Sequence, residues 1–101
     1  MKHLVFLKCL IVVVFTGAAV AGDVEYGAYL ASECASCHRG GSDDESQIPS
    51  IRGMAEETFI AVMQAYKSRQ LDNVAMQTIA GGLDDEQLAA LAAYFATLPT
   101  E

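Results

Sequence analysis

The sequence predicts an all-α fold on three observations. After Gly22 no stretch alternates apolar and polar residues with the period of two that a half-buried strand requires. Apolar residues recur instead at helical spacing around Tyr26, Phe59 and Leu88. Asp84 and Gln87 stand three apart just before the last of these runs, the pattern in which an N-cap oxygen and an amide side chain satisfy each other's backbone N–H groups.

Residues 1–21 read as a targeting segment rather than part of the fold. Lys2 begins it, residues 10–15 (Leu-Ile-Val-Val-Val-Phe) are unbroken apolar, and Ala19-Val20-Ala21 is a small-residue cleavage site. Lys8 interrupts the apolar region, so the stretch is marginal as a membrane span, and an uncleaved anchor is the alternative. Cys9 comes early and follows Lys8 rather than a small residue, so it is expected to leave with the signal. Cleavage after Ala21 leaves one domain, residues 22–101, with no membrane span.

Tyr26, Tyr29, Leu30 and Cys34 share a face at helical spacing and predict a short first helix. Residues 39–47 are polar and glycine-rich, hence a loop. Residues 48–53 are expected to be extended and irregular, because Pro49 disfavours helix just before it. Phe59, Ile60, Val62, Met63 and Tyr66 mark a second helix over about residues 56–68, and residues 71–74 connect onward. Residues 74–80 read as a short helical turn stopped by Gly81 and Gly82. Leu88, Leu91, Ala92 and Phe95 form the stripe of the last helix, with Pro99 after its end. There is no repeat and no second domain, so the expected architecture is three main helices with long loops.

The chemistry lies in Cys34-Ala35-Ser36-Cys37-His38. Two thiols three positions apart, followed at once by a histidine, form the attachment signature of a c-type haem. The two sulfurs are spaced to form thioethers to the two vinyl groups of one porphyrin edge, which holds the adjacent His38 under the iron. A zinc site needs four Cys or His ligands, and this chain has three Cys and two His, with His3 and Cys9 in the first ten residues. A thioredoxin-like redox pair needs a strand–helix–strand context, which is missing. A covalent haem also staples a chain this small, whose own core is modest. Loading outside the cytoplasm fits a bacterial periplasmic protein.

His38 is the only histidine after residue 21, so a second imidazole from this chain is excluded once the signal is removed. The remaining donors are Met54, Met63 and Met76, with Lys67 or a tyrosine weaker. Met63 lies in the apolar stripe of its helix, which reads as core. Met54 follows His38 closely, and the segment between them must also wrap the haem edge. Met76 follows a loop and precedes a small-residue turn, so it is the expected second axial ligand, with an open sixth position as the alternative. His/Met ligation favours Fe(II), raises the potential and leaves no vacancy for substrate, so no catalysis by this chain itself is expected. Arg52 and Tyr66 are candidate donors to the propionates, since a buried propionate needs hydrogen bonds and the chain has no Trp. Solvation for Arg52 and a core place for Tyr66 are the competing readings.

Residues 22–101 carry all 13 acidic side chains against four basic ones (Arg39, Arg52, Lys67 and Arg69), a formal charge of −9. Nucleic acid and anionic membrane surfaces are therefore poor partners. The charge serves either simple solubility or steering toward a basic partner.

Over nearly all of residues 22–101 the chain resembles a small class I c-type cytochrome. The resemblance rests on Gly27 and Leu30, on Cys34-Ala-Ser-Cys37-His38, on Pro49-Ser-Ile51-Arg-Gly53, on Met76, on Ile79-Ala-Gly-Gly-Leu83-Asp-Asp-Glu-Gln-Leu88 and on Leu91-Ala-Ala-Tyr94-Phe95. It implies the small class I cytochrome c fold, with three main helices and loops wrapped around one covalent haem c. It implies that the first and last helices cross where Gly27 meets the Leu91/Tyr94 ridge. It also implies that the Pro49 carbonyl accepts the free N–H of His38. From Phe59 to Glu86 the pattern is similar to the haem subunits of flavocytochrome c sulfide dehydrogenases and to the monohaem halves of dihaem cytochromes. That pattern usually has glycine where Arg69 stands and often a proline before the methionine. This likeness implies an electron-accepting haem subunit whose redox partner is a flavoprotein sulfide dehydrogenase subunit. The rivals are a freely diffusing shuttle to an oxidase or reaction centre, and a haem enzyme or gas sensor with an open sixth site.

Overall fold

The computed structural model describes residues 11–14, 22–39 and 48–100. Within them lie four helices and no strand: α1 Val24–Cys37, α2 Glu56–Lys67, α3 Val74–Gly81 and α4 Asp85–Thr97. This is the all-α architecture expected. The expected cleavage site and the glycine-rich loop lie outside the described residues. Of the apolar N-terminal stretch, Ile11–Val14 is exposed and non-helical. No helix among the described residues is long and apolar enough to cross a membrane.

α1 starts because Asp23 turns its carboxylate back onto the chain, accepting from the Glu25 and Tyr26 N–H groups at 3.0 and 3.2 Å. It ends within the Cys-x-x-Cys-His motif, where His38 N–H donates to the Cys34 carbonyl at 2.8 Å. Its packed face runs through Gly27, Leu30, Ala31 and Cys34. Tyr29, expected on that face, is 78 % exposed. The correction has a simple cause: the contact face is centred on a glycine, which hydrophobic periodicity does not register.

α4 is the keel of the fold. Asp84 and Gln87 form the expected capping box, with Oδ1 accepting from Gln87 N–H at 2.8 Å and Oε1 accepting from Asp84 N–H at 2.9 Å. Leu88, Ala90, Leu91, Ala92, Ala93 and Phe95 are all buried, because α1 covers one side of the helix and α2 another. Gly27 is where α1 meets α4. A Cβ there would stand 2.0 Å from the Ala90 carbonyl oxygen and 2.7 Å from Tyr94 Cβ. The partner of Gly27 is thus Ala90 with Tyr94, one residue away from the expected Leu91. On the other side Phe95 stacks on Phe59 of α2, with ring centroids 5.7 Å apart.

α2 carries Glu56 and Glu57 in its first turn and Lys67 in its last, complementing the helix dipole at both ends. It closes through Ser68 into Arg69, which adopts φ 64°. Arg69 N–H then reaches the Tyr66 carbonyl (3.0 Å) and Gln70 N–H the Ala65 carbonyl (2.8 Å), the two bonds of a Schellman cap.

Residues 74–81 form a full eight-residue helix rather than the short turn expected from sequence. Asn73 caps it, Thr78 Oγ1 donates back to the Val74 carbonyl (2.9 Å), and Ala80 is wholly buried. α3 packs on α2 alone among the helices. The α3–α4 corner is fixed by Lys67 Nζ, which donates to the Leu83 carbonyl.

Candidate haem site

The chain order of packing, α1 on α4, α4 on α2 and α2 on α3, leaves one side open. There a cleft of about 300 Å³ lies between the end of α1, the segment after residue 48, α2 and α3. Its size is at the small end of the range usual for ligand sites.

α1 supplies Glu33, Cys34, Cys37 and, at its C-cap, His38. Because the helix ends there, the two cysteines stand about one turn apart on the cleft wall, with the imidazole next to them. Neither is joined in a disulfide, so both sulfurs are available for a thioether. Burial first, and the Glu33 carboxylate second, push the half-buried Cys34 thiol up, so it is held as the neutral S–H.

The opposite lip comes from Ile48, Pro49, Ile51 and Met54. His38 Nδ1 lies 2.8 Å from the Pro49 carbonyl oxygen. A carbonyl only accepts, so Nδ1 carries the proton and Nε2 keeps its lone pair as a potential ligand. Gly53 N–H donates to the Phe95 carbonyl at 2.9 Å and Gly53 takes φ 70°, which ties this segment to the end of α4 and thereby sets where Pro49 stands.

α2 forms the floor with Phe59, Val62, Met63 and Tyr66, and α3 the far wall with Asn73, Ala75, Met76 and Ile79. All three methionines weighed as donors therefore reach the cleft. Met63 is buried in the core of α2. Met54 is half-buried on the segment before that helix. Met76 is half-buried on α3, and its own N–H is held by Asn73 Oδ1 at 3.0 Å.

Of the residues singled out from sequence, the cleft gathers Cys34, Cys37, His38, Pro49, Tyr66 and Met76. Arg52 does not line it. Arg52 lines a shallower cavity with Arg39, Tyr94 and Leu98, which His38 also borders. Sequence reasoning names Val62 only as part of a helix stripe and Ile79 only within the family resemblance, and it passes over Asn73. An asparagine just before a short apolar run is an N-cap signal, and that would have found Asn73.

The residues fit a covalent haem. Two cysteine sulfurs and an imidazole with a fixed tautomer stand at one wall, a thioether stands on another element, and the rest of the lining is mainly apolar. Among the described residues no three Cys, His, Asp or Glu side chains converge on a bare metal ion. That donor set suits an iron already held by four porphyrin nitrogens.

A comparison with curated proteins returned no significant match. The cytochrome c family model matches residues 24–99, a span that begins with α1 and takes in both walls of the cleft. With the attachment motif, the four-helix frame and the cleft all inside that span, this haem-based electron-transfer protein belongs to the cytochrome c family.

Proposed function

We propose that the protein is a periplasmic cytochrome with one covalent haem, ligated by His38 and Met76, that serves as the electron-accepting subunit of a flavin-dependent sulfide dehydrogenase. Residues 1–21 are its cleaved export signal. The observation that carries the ligation is the cleft itself, where His38, with Nδ1 2.8 Å from the Pro49 carbonyl, and Met76 on α3 line the same space as both cysteines.

When bound, the haem supplies a one-electron Fe(III)/Fe(II) couple. Cys34 and Cys37 fix it covalently. Pro49 keeps the His38 proton on Nδ1 and makes Nε2 the stronger donor. Met76 offers a neutral, soft sulfur that favours Fe(II). Phe59, Val62, Met63 and Ile79 would give the group an apolar surround that holds water away, and the Tyr66 hydroxyl would offer a donor to a propionate.

The partner reading is supported by apolar side chains left uncovered beside the cleft. Val74 is 75 % exposed next to the lining residues Asn73 and Ala75, and Leu71, just before them, is also exposed. A subunit held against a flavoprotein has a use for such a rim.

The oxidised protein is expected to show the weak near-infrared band of methionine sulfur on Fe(III). Met76→Ala is expected to abolish it and to admit carbon monoxide in the reduced state, while Met54→Ala keeps the band. Met76→His is expected to lower the potential. For the partner, the measurement is sulfide-dependent haem reduction with and without the flavoprotein that co-purifies. Reduction only in its presence supports the subunit. Fast exchange with an oxidase or reaction centre, and no reduction by any flavoprotein, makes the protein a free shuttle.

A further inference from the structure

We propose that Asn73, backed by Gln77, is the positioning residue for Met76, so that this chain holds its sulfur ligand by a side-chain helix cap. The inference rests on Met76 being the iron ligand. α3 has eight residues and packs on α2 alone among the helices, and a helix so short is marginal without local support. Met76 occupies its third position, where the backbone N–H has no partner within the helix. Asn73 supplies that partner: its Oδ1 accepts from Met76 N–H at 3.0 Å. The Asn73 carbonyl accepts from Gln77 N–H at 2.8 Å, and Gln77 Nε2 donates to the Leu71 carbonyl at 2.9 Å. The three bonds bracket Met76 on both sides in sequence and bind the approach segment to the helix it starts. α3 carries Met76 into the cleft wall, so this backbone anchor fixes where its side chain starts.

The consequence is kinetic. An exogenous ligand enters the iron only after the sulfur leaves, so its binding rate follows the fraction of molecules with Met76 detached. Loss of an N-cap oxygen shifts such a local equilibrium about fivefold. The experiment is cyanide binding to the oxidised holoprotein, followed together with the near-infrared band and the far-ultraviolet melt. Asn73→Ala is expected to bind cyanide about fivefold faster than wild type. Asn73→Ser, which restores a capping oxygen, is expected to stay within about twofold of wild type. A rate unchanged in Asn73→Ala, or equally raised in Asn73→Ser, overturns the proposal. If Asn73→Ala does not accumulate, Gln77→Ala decides: a faster rate supports the clasp and an unchanged one overturns it. Failure of the underlying reading is separately visible. A wild-type band that survives Met76→Ala removes the ligation and this inference with it, whereas a band lost in Met76→Ala with an unmoved Asn73→Ala rate removes this inference alone.

Discussion

Arg69 occupies a conformation that costs an L-residue about 1–2 kcal/mol, because at φ 64° its Cβ crowds the following carbonyl. The Schellman bonds from Arg69 and Gln70 hold it there. The wish for glycine at this point, implied by the resemblance, thus has a concrete cause in the chain's own backbone. Arg69→Gly relieves the strain and loses a little unfolded-state restriction in exchange. It is expected to stabilise the holoprotein by about 1 kcal/mol, which raises the thermal midpoint by roughly 4–8 °C for a domain of this size. Arg69→Val, β-branched in the same conformation, is expected to move the midpoint the other way. Thermal melts of the two variants side by side check the pair. A rise in both midpoints would show that the arginine side chain, and not its backbone angle, sets the effect.

At the scale of elements, the α1–α4 crossing is fixed by what Gly27 lacks. An added Cβ lands 2.0 Å from the Ala90 carbonyl oxygen, a backbone atom that cannot swing aside. Gly27→Ala must therefore separate two helices that share the core, and it is expected to cost about 2–3 kcal/mol in denaturant unfolding. Gly81 is the internal control. Nothing lies within 4 Å of a Cβ there, so Gly81→Ala is expected to be neutral or to stabilise α3 by about 0.5 kcal/mol. The same contrast shows what the sequence could tell. α1, α2 and α4 were legible because each repeats apolar residues over several turns, and α4 also announces its start through Asp84 and Gln87. α3 reads as only a turn from sequence because Ala75, Ala80 and Gly81 give it little apolar stripe. Its helix comes from the Asn73 cap and from α2, and the second of these is tertiary information. Tyr29 falls outside the packed face of α1 because that face is centred on Gly27, which no apolar pattern marks, and only the partner helix selects it. In the site, the attachment motif carries its spacing in one pentapeptide. The walls that complete it are assembled from α2, α3 and the segment after residue 48, whose juxtaposition no local pattern encodes.

The molecule as a whole pairs a strongly acidic surface with a partly uncovered apolar rim, and the two predict different behaviour toward a partner. Residues 22–101 carry a formal −9, and the N-terminal turns of α2 and α4 each present two acidic residues, Glu56 with Glu57 and Asp85 with Glu86. Exposed charges act over about 8 Å at physiological ionic strength and much farther in dilute salt. Encounter with a basic partner is therefore steered, and its rate constant falls as salt rises. Contact through Val74 and Leu71, both exposed, is apolar and nearly insensitive to salt. Haem reduction by the proposed flavoprotein partner, measured across a salt series, separates the two. A permanent subunit is expected to reduce at a salt-independent rate and to co-elute with its partner at every concentration tested. A shuttle is expected to slow steeply between low and physiological salt and to elute alone. Charge reversal at Glu56 and Glu57 sharpens the comparison, because it weakens only the steered encounter. A salt-dependent rate that these two substitutions leave untouched would place the docking surface elsewhere on the molecule, away from the start of α2.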